Sequence, residues 1–162
     1  MGKFNERIRA LAEYAPKGGT LVDIGTDHAY LPILLHKDEV CASYILTDVK
    51  AGPLEKARNS VTKSFGYIPD VFDFRLGDGL ITLSPGEADV CVIAGMGGES
   101  IAAILEESPE IADSIELFIL QPRTKIEYLC SFLPENGYII EKQRSAMERG
   151  RKCEILIVRK VT

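Results

Sequence analysis

The stretch Thr20-Leu21-Val22-Asp23-Ile24-Gly25-Thr26-Asp27-His28-Ala29-Tyr30-Leu31-Pro32 sets two carboxylates around one glycine at the end of an apolar run. The run reads as a buried strand, Gly25 as a tight turn, and the residues from Tyr30 as a helix. Ligands of open α/β sheets bind beyond the carboxyl ends of the strands, and such a turn is where nucleotide-like cofactors sit. Asp27 and Ala29 stand where a glycine-rich loop would carry further glycines. A carboxylate at that place offers charge for binding and a proton acceptor for chemistry. Taken alone, a structural strand-to-helix turn accounts for Gly25 almost as well.

Three further motifs fall at predicted strand ends. Asp48 closes the second strand, 23 residues beyond Gly25. An acid at about that separation bonds ribose hydroxyls, a device shared by NAD-binding and S-adenosylmethionine-binding folds. A turn or helix-capping role is the competing reading. Gly77-Asp78-Gly79 follows the third strand. It presents a carboxylate or backbone to an adenine edge, or makes a plain turn. Ile93-Ala94-Gly95-Met96-Gly97-Gly98 ends the fourth strand. Its glycines admit a ligand close to the backbone, and the helix that follows offers an anion-binding N-terminus.

The first loop lacks the G-x-G-x-x-G fingerprint, since Asp27 and Tyr30 follow Gly25. A pyrophosphate would meet the Asp27 carboxylate, which argues against NAD. A cationic sulfonium with no phosphate suits an acidic loop better. Tyr30 offers a ring for base stacking. Packing within its helix is the simpler account. No Ser-His-Asp or Cys-His arrangement is visible. His28 and His36 are too few for a metal site, and each reads as a local hydrogen-bonding residue.

The elements that must position these groups alternate. Residues 4–15 carry Ile8, Leu11, Ala12 and Ala15 at helical spacing, ended by Pro16-Lys17-Gly18-Gly19. Strands are expected at 20–24, 43–47, 71–76, 89–94 and 117–120, with helices at 30–40, 52–66, 125–133 and one opened by Gly95-Met96-Gly97-Gly98 that runs to about 107. Tyr138–Glu141 and Glu154–Arg159 read as a final strand pair joined by a basic loop. Alternating strands and helices predict a mostly parallel sheet covered on both faces, in one domain over residues 1–162.

Composition narrows the function classes. No apolar run approaches the roughly 20 residues that span a bilayer. The first residues lack the apolar stretch of a signal peptide, and Gly2 reads as an ordinary start rather than an acylation site. Cys41, Cys91, Cys130 and Cys153 form no close pair, so no zinc or redox motif is visible. Reduced thiols and a cytoplasmic location are expected, with Cys91 and Cys153 as small buried hydrophobes. Charge is uneven: residues 21–120 hold 6 Lys/Arg against 17 Asp/Glu, and residues 121–162 hold 9 against 5. That polarity fits a basic face for a phosphate-rich partner, or a solvated surface with no ligand.

The motifs Asp23 to Pro32, Gly77-Asp78-Gly79-Leu80, Ile93 to Gly98 and Leu120-Gln121-Pro122, with Arg7 to Pro16 and Lys152 to Val158, resemble the bacterial tRNA (adenine-22-N1)-methyltransferases. The resemblance covers essentially the whole chain. It implies a class I, Rossmann-like methyltransferase fold with a seven-stranded sheet and an antiparallel last strand. It implies S-adenosylmethionine as cofactor, no metal, and tRNA as partner. The cofactor candidates are Asp23, Gly25, Thr26, His28, Asp48, Asp78, Gly79, Gly95 and Met96. Asp27 is the catalytic candidate, near the methyl group and the target base. Its rival role is to bind the amino group of the cofactor's methionine part. Tyr30, Gly97, Gly98, Gln121, Arg7 and Arg123 are the substrate-binding candidates. Arg7, Arg123, Lys125, Arg144, Arg149, Arg151 and Lys152 are candidates for phosphate contacts, and a monomer is the expected state.

Two features depart from the family pattern. Arg123 stands where Asn is expected after Gln121-Pro122. Family members also continue into a C-terminal helical, coiled-coil domain, whereas these residues end at Thr162, just after the last predicted strand. The alternatives are methylation of another RNA or a small molecule, and a non-catalytic cofactor-binding domain.

Overall fold

Leu21 and Val22 are both fully buried although they are neighbours, so the strand that carries them is covered on both faces. In the computed structural model, which describes residues 4–161, this pattern recurs across one seven-stranded sheet. The strands are β1 (Thr20–Ile24), β2 (Ser43–Asp48), β3 (Phe72–Leu76), β4 (Val90–Gly97), β5 (Leu117–Thr124), β6 (Tyr138–Glu148) and β7 (Arg151–Lys160). Their order is β3-β2-β1-β4-β5-β7-β6. The neighbours from β3 to β5 pair in parallel. β7 runs antiparallel to both β5 and β6. Gly2 lies outside the described residues.

Two apolar layers sandwich the sheet. One gathers Leu21, Leu46, Val92 and Ile119 with α1 (Glu6–Glu13), α2 (Tyr30–Lys37) and α3 (Ala51–Phe65). The other gathers Val22, Ile45, Ile93 and Phe118 with α4 (Gly98–Glu107), α5 (Pro109–Asp113) and α6 (Ile126–Glu135). Successive strand residues thus enter opposite cores, which is why the strands read as continuous apolar runs. α1 starts where the Asn5 side chain accepts the Ile8 amide at 3.0 Å. His36 packs edge-on against Tyr44, Phe65 and Phe72, a ring cluster rather than the polar role expected of it. Cys91 is fully buried, whereas Cys153 is only half-buried. Among the described residues no helix is long and apolar enough to cross a membrane.

The structure corrects the expected elements in four places. α2 stops at Lys37, not residue 40, because Glu39 turns left-handed with φ 55°. Gly95-Met96-Gly97 is not a loop but the end of β4, with an irregularity in pairing between Ala94 and Met96. β5 correspondingly runs on through Gln121, Pro122 and Arg123 to Thr124, whose partner is Gly97. The basic loop expected between the last two strands is instead a two-stranded ribbon, with Lys142–Glu148 paired to Ile157–Arg151. Its turn residues Arg149 and Gly150 have φ of 52° and 76°, the sign required at both positions of a tight hairpin turn.

Candidate active site

The carboxyl ends of β1, β2 and β4 converge on a cleft of about 400 Å³. Asp23, Gly25, Thr26, Asp27, His28, Tyr30, Asp48, Ala94, Gly95, Met96 and Arg123 line it, and Ile8 and Leu11 of α1 close one side. The loop from β1 to α2 forms its floor and lip. Gly25, Asp27 and Ala29 take left-handed φ of 68°, 57° and 60° in alternation. The loop therefore keeps a glycine loop's backbone while two of its three left-handed residues carry side chains. Non-glycine residues held there cost on the order of 1 kcal/mol each, and such strain clusters at functional sites. The amides of Gly25 and Thr26 are anchored to the Thr47 carbonyl at 2.9 and 3.0 Å.

Two carboxylates at this turn, Asp23 in β1 and Asp27 on the loop, face opposite surroundings. Asp23 is 6% exposed and accepts the Thr26 hydroxyl at 2.9 Å. Burial pushes its carboxyl up to about 7, against the lowering effect of the Thr26 hydrogen bond and the Arg7 charge. Asp27 stands at the lip with its side chain 75% exposed, 3.8 Å from His28 Nε2. His28 in turn stacks on Tyr30, ring centroids 5.1 Å apart and planes 14° from parallel. Asp48 lies at the end of β2, and its Oδ1 accepts the Lys50 amide at 3.0 Å. That bond closes a turn ahead of α3 rather than capping it, so the turn role and the wall of the cleft belong to the same residue.

A second cavity of about 450 Å³ adjoins the first and shares Arg7, Gly95 and Arg123 with it. Gln121, 4% exposed, and Pro122 line its inner wall. Arg7 is the partition. Its Nη1 donates to Gln121 Oε1 at 3.1 Å and its Nε to Glu148 Oε2 at 2.9 Å. Asn5 donates to the same Glu148 oxygen at 2.9 Å. Burial works against the Glu148 charge, but these bonds and the charges of Arg7 and Arg149 hold its carboxyl below the ordinary value.

Most of the residues expected at the site meet here, and some do not. Gly97 and Gly98 line neither cavity; a Cβ on Gly98 would collide with the Lys125 carbonyl oxygen, so close packing of α4 accounts for this glycine. Asp78 is exposed and Gly79 packs against Ile104, both outside the cleft. Their turn nevertheless abuts Asp48, whose carbonyl accepts the Gly77 amide at 2.9 Å. Exposed Val49 and Leu76 flank that junction, a pair of apolar rim residues that sequence reading passed over. Two apolar side chains at adjacent strand ends were the signal for them. Of the basic candidates, Arg7 pairs with Glu148, Arg144 with Glu13 at 3.4 Å and Lys152 with Glu154 at 3.6 Å. Among the described residues Arg123, Lys125, Arg149 and Arg151 form no salt bridge.

Comparison with known proteins gives this geometry a family. A tRNA (adenine(22)-N(1))-methyltransferase from Bacillus subtilis (strain 168) is 35% identical over 155 residues, 96% of this chain; the chain spans 64% of that curated relative's length. Streptococcus pneumoniae Sp1610, a candidate tRNA (m1A22) methyltransferase solved with S-adenosyl-L-methionine, is 34% identical with a TM-score of 0.90, covering 96% of this chain and 72% of its own. M. capricolum TrmK, solved with S-adenosyl-homocysteine, is 25% identical with a TM-score of 0.82, covering 95% and 67%. A family model for a methyltransferase domain matches residues 4–156, and on that match, with the strand-end cleft it spans, the chain belongs to the methyltransferase domain family.

Proposed function

We propose that this chain transfers a methyl group from S-adenosylmethionine to N1 of adenine 22 in tRNA, in the cytoplasm. The observation that carries the reading is the pairing of an acidic cleft, holding Asp23, Asp27 and Asp48, with a cavity lined by Arg123, Arg149 and Arg151. A cationic donor and a polyanionic acceptor need such opposite surfaces side by side.

The residues present fit the cofactor. Three carboxylates suit a ligand with ammonium and sulfonium charges and ribose hydroxyls, and would repel a pyrophosphate. A Cβ on Gly25 would lie 2.6 Å from Met96 Cε, so the bare backbone leaves the cleft room there. Asp48 has Oδ2 free for a ribose hydroxyl. Gly25, Thr26, His28, Gly95 and Met96 line the space around it. Asp78 and Gly79 support the rim beside Asp48, with Val49 and Leu76 offering apolar faces to an adenine ring. When bound, S-adenosylmethionine supplies an electrophilic methyl carbon carried on a positively charged sulfur.

The chain's own work is positioning and charge. Adenine N1 is a neutral nucleophile with a lone pair, so aligning it supplies much of the rate. A paired base must first leave its stack, at a cost of a few kcal/mol. Methylation at N1 leaves the ring cationic. Asp27 at the exposed lip accepts a hydrogen bond from the adenine N6 amino group and stabilises that charge. The rival role, holding the cofactor's amino group, suits buried Asp23 better. Tyr30, Gln121 and Pro122 form the wall against the base, and Gly97 and Gly98 hold that wall by packing.

Methyl incorporation into unmodified tRNA, measured beside other RNAs and a metabolite panel, tests the reading. Incorporation into tRNA supports it. Incorporation only elsewhere, or cofactor binding without turnover, replaces it.

A further inference from the structure

Cations that line a cavity are available to a ligand only if no acid on the protein has already neutralised them. Two acids face the second cavity, Glu148 and Glu154. Glu148 is taken up by Arg7 and Asn5. Glu154 accepts from Gln143 at 3.1 Å and Ser145 at 2.9 Å, and pairs with Lys152. Arg123, Arg149 and Arg151 are left exposed and without salt bridges among the described residues. They stand on two walls. Arg123 is on the end of β5, and Arg149 and Arg151 are at the tip of the β6–β7 ribbon.

The ribbon is built to hold that tip still. β5 pairs with β7 only through Phe118–Leu120, so the outer part of β7 pairs with β6 alone. α1 and its N-cap Asn5 brace the β6 strand of the ribbon through Glu6 to the Met147 amide at 3.0 Å, Arg7 and Asn5 to Glu148, and Glu13 to Arg144. A free two-stranded ribbon would be marginal without such support.

We propose that the cavity between β5 and the ribbon tip is a docking groove for RNA phosphodiester backbone beside the target nucleotide, with Arg123, Arg149 and Arg151 as its phosphate ligands. The proposal rests on the methyltransferase reading above. Arginine forks match phosphate oxygens in pairs. The groove shares Arg7, Gly95 and Arg123 with the acidic cleft, so a strand held in it delivers a neighbouring base to the lip. Of the other basic candidates read from the sequence, Arg7 and Arg144 tie the ribbon to α1, and Lys152 pairs with Glu154, so the three arginines unpaired among the described residues carry the assignment.

The test is binding of an unmodified tRNA transcript between about 50 and 200 mM salt, with steady-state methylation alongside. Each phosphate contact contributes roughly 0.7 to 0.9 to the slope of log affinity against log salt. Arg149→Ala/Arg151→Ala should lower that slope by nearly two and raise KM for tRNA at least about tenfold. S-adenosylmethionine affinity and kcat should stay within about twofold, and Lys substitutions should restore most of the slope. Lys17→Ala, at the opposite end of the sheet, should leave the slope alone. An unchanged slope and KM in the double variant overturns the groove while methylation still stands. Equal affinity for polyglutamate of matched charge would assign the groove to an acidic protein and also overturn the proposal. Failure of the native chain to methylate tRNA overturns the function, and the slopes then judge the groove by themselves.

Discussion

Asp23 near the end of β1 is buried and Asp27 on the loop that follows is exposed, which gives each a separate prediction. Asp23 takes a proton at about 7 in the folded protein against an ordinary 3.8. Its contribution therefore favours the fold most below pH 4 and is lost as the pH rises through 7. Asp23→Asn removes that loss. Its melting temperature should exceed the native one by a margin that widens from pH 4 to pH 8, corresponding to about 4 kcal/mol at most. Parallel melting curves across that range would contradict the assignment. The same titration makes S-adenosylmethionine affinity fall as the pH drops below about 7, because a protonated Asp23 no longer offers charge, and Asp23→Asn should bind weakly at every pH. Asp27, at the exposed lip, behaves differently. Asp27→Ala should keep cofactor affinity, cost up to about 1 kcal/mol of stability because Ala inherits the left-handed φ of 57°, and lose nearly all methylation. Calorimetric titration beside a turnover assay checks both, and full turnover in that variant contradicts the catalytic role.

The elements carry strain and close packing that no single side chain reports. In the loop between β1 and α2, Asp27→Gly relieves a left-handed residue. It should leave stability unchanged or raise it by up to about 1 kcal/mol, read from denaturant midpoints, even as activity falls. Gly98→Ala drives a Cβ into the Lys125 carbonyl, so α4 or the end of β5 must shift. A loss of about 2–4 kcal/mol is expected, and a loss below 1 would show that the junction yields. Gly25→Ala meets only the flexible end of Met96 but inherits the left-handed φ of 68°, so it should cost on the order of 1 kcal/mol of stability as well as weaken cofactor binding.

The same elements show what was legible in the sequence. β1 and β2 were readable because Leu21-Val22 and Tyr44-Ile45-Leu46 are buried on both faces and so are uniformly apolar. The end of β4 was not, since Gly95 and Gly97 read as chain breakers, while pairing of Met96 and Gly97 with β5 kept the segment in the sheet and left Gly95 at the irregularity. The ribbon was hidden by its solvent exposure. Only Ala146 of its β6 half beyond residue 140 is buried, and its turn is Arg-Gly rather than the more telling Asn-Gly. The strand-end carboxylates were visible because a charged residue closing an apolar run marks the point where a strand leaves the core. The fate of Arg7 was not, because Glu148 lies 141 residues away.

Over the whole molecule, the uneven charge along the chain resolves into two adjoining surfaces. The acidic middle of the sequence supplies the cleft through β1 and β2. The basic end supplies the groove through β5 and the ribbon. The order of strands brings the two together, since β4 pairs with β1 on one side and β5 on the other. On the proposed reading, a chain of net charge −5 meets a polyanion through the groove rather than through its total charge. The most direct measurement is mass-spectrometric nucleoside analysis, with position mapping, of unmodified tRNA incubated with this protein and S-adenosylmethionine. The account predicts new 1-methyladenosine at position 22. A methylated nucleoside of another kind, or none in the presence of bound cofactor, would contradict it.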